Sequence, residues 1–162
     1  MAEHRIRRPS GLLKRFFDAP RWLYRHRLGW LLGRRFLEIT HVGRRSGTER
    51  TTVLEVAVYH DEHQESIVAS AYGEAADWYR NIRARPARLI RTGRVEYVPA
   101  QRFLDPDETR AAAIEFCRTH RLEAKAASRV FAAMGAVPKD TGADPVDLIA
   151  SLPMVAFRPQ GR

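Results

Sequence analysis

The feature that most constrains this 162-residue chain is a pair of apolar segments joined by a short basic turn. Residues 36–42 and 51–59 are rich in β-branched and aromatic side chains that alternate with polar ones. Segments of this kind favour β-strands. Gly43 and Gly47 bound the turn between them and can take backbone angles that other residues avoid. The pattern therefore predicts two neighbouring strands with Arg44, Arg45 and Ser46 on a tight, exposed turn.

This turn has the composition of an anion-binding site. Backbone N–H groups in tight turns can bind anions, and Arg adds planar, bidentate pairing to phosphate. The motif is short, and basic turns are common. A hairpin turn whose arginines are only solvated therefore stays open as the alternative when the motif is considered alone.

The charge of the chain is concentrated near its start. Residues 1–50 hold 13 Lys and Arg against 4 Asp and Glu, which accounts for the whole formal net charge of +9. A patch of this kind attracts nucleic acid, anionic lipid or an anionic ligand. Composition does not choose among the three, and no recognisable nucleic-acid motif is present.

Further elements follow from periodicity, caps and turns. The other predicted strands cover residues 65–70, 87–92, 95–103 and 153–158. The predicted helices cover residues 12–32 with a break at Pro20, then 78–85, 105–120, 122–134 and a short segment opening at Asp144. Asp77 and Asp105 are predicted N-caps. Five or six strands with helices grouped at the ends indicate an α+β fold around a small antiparallel barrel.

The domain organisation is predicted to be simple. Residues 1–9 are expected to be a disordered basic tail, and residues 10–162 a single domain. The single Cys117 excludes an intrachain disulfide and, with the absence of a secretory pattern, favours the cytoplasm. The basic, aromatic helices before residue 33 could lie on a membrane surface or pack on the barrel, and the second arrangement is favoured.

Several segments, taken in order, resemble one known family. They are residues 43–47 with Arg50, residues 68–70, residues 77–82 followed by Arg85-Pro86, and residues 152–157. This series resembles the deazaflavin-dependent nitroreductase family, actinobacterial oxidoreductases that use coenzyme F(420), an 8-hydroxy-5-deazaflavin. The resemblance implies an FMN-binding-like split β-barrel with N-terminal helices and a helical insertion before the last strand.

The resemblance also implies a cofactor site. The turn would hold the phosphate and acidic tail of the deazaflavin through Arg44, Arg45, Ser46 and Arg50. The ring system would lie beside Thr51, Thr52, Val53 and Leu54, and would be faced by Val68, Ala69, Ser70 and Ala71. The pocket would be closed by Trp78, Tyr79, Asn81 and Ile82. No catalytic residue is assigned, and Ser70 and Tyr79 are the only candidates for a proton donor.

The chain departs from the family pattern on the reactive side of the site. The best-known branch has a Lys directly after the Ser, where this chain has Ala71, and residues 105–150 contain no Tyr. The implied function is hydride transfer from reduced coenzyme F(420) to a quinone, a nitro compound or a conjugated alkene. Flavin mononucleotide is a less favoured cofactor, and no metal or nucleic acid is expected, although His60 and His63 are spaced as HxxH.

Two other classes of function stay open at this point. The first is a split barrel that binds deazaflavin, a flavin or a haem-type ligand without turnover. The second is a binder of anionic membrane or nucleic acid through the N-terminal arginines. A homodimer is also compatible with the sequence.

Overall fold

The computed structural model describes residues 29–126 and 144–161. The described part holds seven strands and three helices that are complete within it. The strands are β1 (Phe36–Val42), β2 (Glu49–His60), β3 (Glu65–Ala69), β4 (Leu89–Thr92), β5 (Val95–Tyr97), β6 (Pro99–Phe103) and β7 (Met154–Pro159). The helices are α1 (Asp77–Ala84), α2 (Pro106–Thr119) and α3 (Pro145–Ala150). Residues 121–126 are also helical.

The strands form an antiparallel, nearly closed barrel. Their order is β5-β4-β1-β2-β3-β7-β6, and every adjacent pair is antiparallel. The two edge strands, β5 and β6, are consecutive in the chain and are separated only by Val98. The sheet must therefore curl until its edges meet, which confirms the predicted α+β split barrel.

The long strand β2 divides the barrel into two halves. Residues 49–55 pair with β1, and residues from Val56 onward pair with β3. The register shifts between Val56 and Val58, and such a bulge bends a strand. The bend lets one strand belong to both halves, so that the half formed by β5, β4 and β1 joins the half formed by β3, β7 and β6.

Two apolar clusters stabilise this arrangement. The first fills the barrel and includes Leu37, Ile39, Ile90 and Phe157, all fully buried, with α1 packed against it. The second lies between the outer side of β2, β3 and β7 and the helices α2 and α3, and Cys117 is part of its edge. Burial raises the pKa of the Cys117 thiol.

The helix starts were predicted with mixed success. Asp105 caps α2 as expected, in a reciprocal capping box with Glu108, and Asp144 caps α3. The N-cap assigned to Asp77 was wrong. Helix α1 begins at Asp77 itself, its N-cap is Ala76 without a side-chain cap, and the Asp77 carboxylate binds Arg44 instead.

The prediction of one strand over residues 95–103 was also wrong. The segment forms two strands: β5 pairs with β4, whereas β6 pairs with β7. The division at Val98 is the point where the chain passes from one barrel half to the other. The hairpin turn at Gly93 is present, with a positive φ of 54°.

Some predictions concern segments outside the described residues. They are the disordered tail at 1–9, the N-terminal helices apart from a 3-10 turn at Gly29–Leu32, and the end of the helix predicted over 122–134. In the part of the chain that the structure describes, no helix has the length and apolar character that crossing a membrane requires.

Candidate functional site

The basic turn between β1 and β2 is closed by its own backbone. The Gly43 N–H donates to the Thr48 carbonyl at 2.8 Å, and the Gly47 N–H donates back to the Gly43 carbonyl at 2.8 Å. Gly47 has a φ of 67°, which favours glycine. A Cβ on Gly43 would lie 2.5 Å from the Ser46 hydroxyl oxygen. The backbone of the turn therefore favours glycine at position 47, and Gly43 leaves room for the Ser46 side chain.

The turn presents several free hydrogen-bond donors. The Arg45 and Ser46 side chains are exposed. Among the described residues, the backbone N–H groups of Arg45 and Ser46 have no hydrogen-bond partner. The Arg50 side chain lies over the turn, with its Nε 3.3 Å from the position that a Cβ on Gly43 would occupy. The Ser46 hydroxyl lies 2.7 Å from the Thr48 hydroxyl, so the exposed donors of the turn are chiefly arginine side chains and backbone N–H groups, which are groups that bind anions.

Arg44 is anchored rather than free. Its backbone N–H donates to Asn81 Oδ1 at 3.0 Å, and its Nη1 donates to Asn81 Oδ1 at 3.1 Å and to Asp77 Oδ1 at 3.0 Å. These contacts fix the turn against α1. The hydrogen bond from Arg44 lowers the pKa of the Asp77 carboxyl below its ordinary value.

His41 lies behind this anchor and is 2% exposed. Its Nδ1 is 3.1 Å from the Asn81 amide nitrogen, and its Nε2 is 3.0 Å from the Thr52 hydroxyl oxygen. Burial, followed by the nearby Arg50 charge, lowers the pKa of His41 below its ordinary value. The imidazole is therefore neutral at neutral pH.

The predicted ring-side residues on β2 divide between its two faces, because side chains alternate along a strand. Leu54 packs against the barrel core, and Thr52 faces His41 on the same side. Thr51 and Val53 project from the opposite side. Thr51 lines an open groove of about 360 Å³ together with Glu49 and Arg50 of the same strand and, from neighbouring strands, Thr40, Leu89 and Arg91. The structure does not bring all four β2 residues to one surface.

The predicted residues at the end of β3 also separate. Val68 is completely buried in the barrel core, and Ala69 is half-buried. Ser70 is fully buried, and its hydroxyl donates to the Gly73 carbonyl at 2.7 Å. Ala71 is exposed. The Ser70 hydroxyl proton is thus committed to a turn, and only Ala69 and Ala71 offer surface to a ligand.

The aromatic pair at the start of α1 is largely internal. Trp78 is 8% exposed and Tyr79 is 4% exposed, and their rings meet edge to face. The Tyr79 ring also meets the Phe103 ring edge to face. Burial raises the pKa of the Tyr79 hydroxyl. Ile82 is 1% exposed in the same cluster, so α1 offers a ligand little of its apolar side.

Sequence reasoning missed His41 and the anchoring role of Asp77. His41 is the penultimate residue of an apolar strand, and nothing in its neighbourhood distinguishes it from an edge residue. The available signal was the polar residue Asn81 on the buried side of α1, since a buried amide needs partners. The structure describes no group of three His, Cys, Asp or Glu side chains that could hold a metal ion within residues 29–126 and 144–161.

Comparison with known families shows which family the chain belongs to. The model of the family described as F420H(2)-dependent quinone reductase matches residues 20–130, which include the basic turn, β1 to β6 and α1. The chain belongs to this family. It is therefore an oxidoreductase, and coenzyme F(420) is its cofactor. No curated protein matched the chain.

Three solved structures are similar to the chain, and the first of them supports the fold. An F420-H2 dependent reductase (FDR-A) matches with a TM-score of 0.50 and 14% identity, over 78% of this chain and 96% of that one. A chain described as a domain-swapped dimer matches with a TM-score of 0.48 and 14% identity, over 86% and 100%. An FMN-binding protein from Nostoc punctiforme, related to pyridoxamine 5'-phosphate oxidase, matches with a TM-score of 0.43 and 12% identity, over 93% and 81%.

Proposed function

We propose that this protein transfers hydride from reduced coenzyme F(420) to a quinone, with the anionic tail of the cofactor held by the basic turn. The family description supports a quinone as the acceptor. The observation that carries the proposal is the basic turn, where Arg45 is exposed, the Arg50 side chain lies beside Gly43, and the backbone N–H groups of Arg45 and Ser46 have no partner among the described residues. Nitro compounds and conjugated alkenes are further acceptors of the same electronic type.

The residues present fit the cofactor's anionic end. A phosphate has several acceptor oxygens and prefers donors in a fixed arrangement. The turn supplies Arg45, Arg50, Ser46 and backbone N–H groups, and Arg44 is held in place beside them by Asp77 and Asn81. Such donors are pre-organised, so little conformational entropy is lost when the anion binds. We assign the tail-binding role to Arg44, Arg45, Ser46 and Arg50.

The ring would lie where small side chains leave room. Ala69 and Ala71 have exposed surface near the end of β3, and Tyr72 is 41% exposed beside them. Thr52 stands between this region and the turn, bonded to His41. The deazaflavin supplies the hydride when bound. The protein's own contribution is to bind, orient and desolvate the cofactor. Neither Ser70 nor Tyr79 presents a free hydroxyl on an open surface.

Cofactor selectivity tests the binding half of this proposal. Purified protein is titrated with coenzyme F(420) and, in parallel, with flavin mononucleotide, and fluorescence quenching is followed. We expect tighter binding of coenzyme F(420), because its longer tail carries more negative charge to the turn. Arg118→Ala serves as a control, since Arg118 lies in the last turn of α2, on a separate element. Equal or tighter binding of flavin mononucleotide would contradict the proposal.

A further inference from the structure

A buried chain of hydrogen bonds connects β2 to the basic turn. It runs from the Thr52 hydroxyl to His41 at 3.0 Å, from His41 to the Asn81 amide at 3.1 Å, and from Asn81 Oδ1 to Arg44 at 3.0 and 3.1 Å. His41 and Asn81 are each 2% exposed. These hydrogen bonds therefore join four elements, β2, β1, α1 and the turn, through two side chains, His41 and Asn81, that water does not reach.

The donor and the acceptor in every one of these hydrogen bonds follow from Arg44, at one end of the series. Arg44 can only donate, so the Asn81 oxygen must accept from it. The Asn81 amide nitrogen then faces His41 and donates to Nδ1. Nδ1 must be the bare nitrogen, and the neutral ring carries its proton on Nε2. Nε2–H donates to the Thr52 hydroxyl oxygen, whose own proton remains available to a ligand.

We infer that His41 is a positioning residue for the anion-binding turn, acting through Asn81 on Arg44 as the neutral Nε2–H tautomer. This inference rests on the proposed function for its ligand, whereas the hydrogen-bond chain stands on the geometry alone. Asn81 uses both ends of its amide within the protein. It therefore holds the turn in shape rather than contacting the cofactor directly, and His41 fixes which way that amide points.

Protonation of His41 would be incompatible with this chain. In protonated His41, the Nδ1–H would point at the Asn81 amide nitrogen, so that two hydrogen-bond donors would face each other. Rotating the amide would relieve that contact but would turn its nitrogen toward the Arg44 donors. The charged groups around His41 are Arg50 on β2, Asp77 on α1 and Arg44 on the turn. Arg88, which is exposed, directly precedes β4, and its backbone N–H donates to the Thr40 carbonyl on β1. The Arg44 backbone N–H should therefore respond when His41 titrates.

Three variants and one spectroscopic signature test the inference. His41→Leu removes both ring nitrogens, His41→Gln restores one donor and one acceptor, and Thr52→Val removes only the outer partner. His60→Gln is the matched control, because His60 pairs with Glu115 at 3.3 Å away from the turn. Each protein is titrated with coenzyme F(420), and the ¹⁵N resonances of the imidazole and of the Arg44 amide are recorded across pH.

We expect wild-type His41 to show a bare Nδ1 and a protonated Nε2, with the Arg44 amide shifting at the pH where His41 titrates. His41→Leu should weaken cofactor binding about tenfold, the effect of one lost charge-assisted contact. His41→Gln should recover most of that affinity, Thr52→Val should weaken binding less than His41→Leu does, and His60→Gln should leave it unchanged. If His41→Leu does not fold, the tautomer and the Arg44 shift in the wild-type protein and in Thr52→Val still decide the question.

An Nδ1–H tautomer, or a folded His41→Leu with wild-type affinity and an unmoved Arg44 amide, would overturn the inference. Failure of the proposed function looks different. In that case the wild-type protein does not bind coenzyme F(420), while the imidazole and Arg44 resonances still report whether the chain of hydrogen bonds exists.

Discussion

The Asp77 carboxylate accepts a hydrogen bond from the Arg44 guanidinium at 3.0 Å and so ties the first residue of α1 to the basic turn. The Asp77 carboxylate therefore has two opposed effects on anion binding. It fixes Arg44 in place, and it offers a negative charge that competes with an anionic ligand for the same guanidinium. Replacing Asp77 by Asn separates these two effects.

Asp77→Asn should tighten binding of the anionic cofactor a few-fold, because it removes the competing charge and keeps a hydrogen-bond acceptor. The cost in stability should stay below about 1 kcal/mol, since the Asp77 side chain is 82% exposed. Its pKa is lowered from 3.8 by Arg44, so its contribution is present above that pH and is lost in stronger acid. Fluorescence titration and thermal unfolding at pH 7 and pH 3 measure both effects. Weaker binding would mean that the anchoring role dominates.

Gly43→Ala should disturb the turn without disturbing the core. The new Cβ would lie 2.5 Å from Ser46 Oγ and 3.3 Å from Arg50 Nε, so both side chains must move. We expect cofactor affinity to fall and the melting temperature to change little. Gly93→Ala is the control for cofactor affinity, because its added Cβ would make only ordinary contacts and the strain of a φ of 54° falls on another hairpin turn. Equal affinity losses in the two variants would contradict a specific role for Gly43.

The helices after β6 should affect the acceptor rather than the cofactor. Arg110 pairs with Asp147 at 2.8 Å across α2 and α3, and His120 pairs with Glu123 at 3.2 Å. We expect Arg110→Ala and His120→Ala to alter the KM for the acceptor while the cofactor Kd stays unchanged. Paired titrations and steady-state assays separate the two constants. Loss of turnover in His120→Ala, with binding and fold intact, would instead make His120 the proton donor.

Tyr97 provides a prediction about stability at high pH. Burial raises its pKa to about 12 from an ordinary value of 10.0, although the nearby Ser66 hydroxyl acts in the opposite direction, and neither hydroxyl makes a hydrogen bond of ordinary geometry within the described residues. The neutral form is favoured in the fold, so this group's contribution is complete below pH 10 and is lost as the pH rises toward 12. Tyr97→Phe should be as stable as the wild type at pH 7 or slightly more so, and should lose less stability between pH 9 and pH 11. Urea unfolding measures the free energy of unfolding of both proteins. An equal loss of stability in the wild type and in Tyr97→Phe would contradict the assignment of this pH dependence to Tyr97.

Much of the fold could be predicted because it depends on local signals. The β-branched alternation of residues 36–42 gave the bounds of β1, and the Asp105-Pro106 start with Glu108 gave a capping box that is present. Where local signals conflict with tertiary ones, the prediction was wrong. Residues 95–103 form an unbroken β-like pattern, but the barrel needs a change of partner at Val98, and no local preference encodes that change.

The candidate site was predictable to a similar degree. The turn residues could be proposed from the sequence because glycine, arginine and serine act through their own chemistry, and their role in binding stays a prediction. Asp77 has the right chemistry for a cap, yet Arg44, distant in sequence, binds its carboxylate. The role of His41 depends on α1 docking against β1, so it appears only once the chain is folded. The burial of Val68 and Ile82 likewise follows from packing rather than from sequence pattern.

Oxidation of reduced coenzyme F(420) by a simple quinone, followed by absorbance, tests the central claim most directly when wild type and the Arg44→Ala/Arg45→Ala double variant are compared. We predict turnover by the wild type. The folded double variant should bind the cofactor more weakly by a few kcal/mol, because each charge-assisted hydrogen bond contributes about 1.5–3 kcal/mol, while Arg118→Ala should bind the cofactor as tightly as the wild type. Saturable binding without turnover would contradict the proposed reaction, and unchanged affinity in the double variant would remove the basic turn from the site.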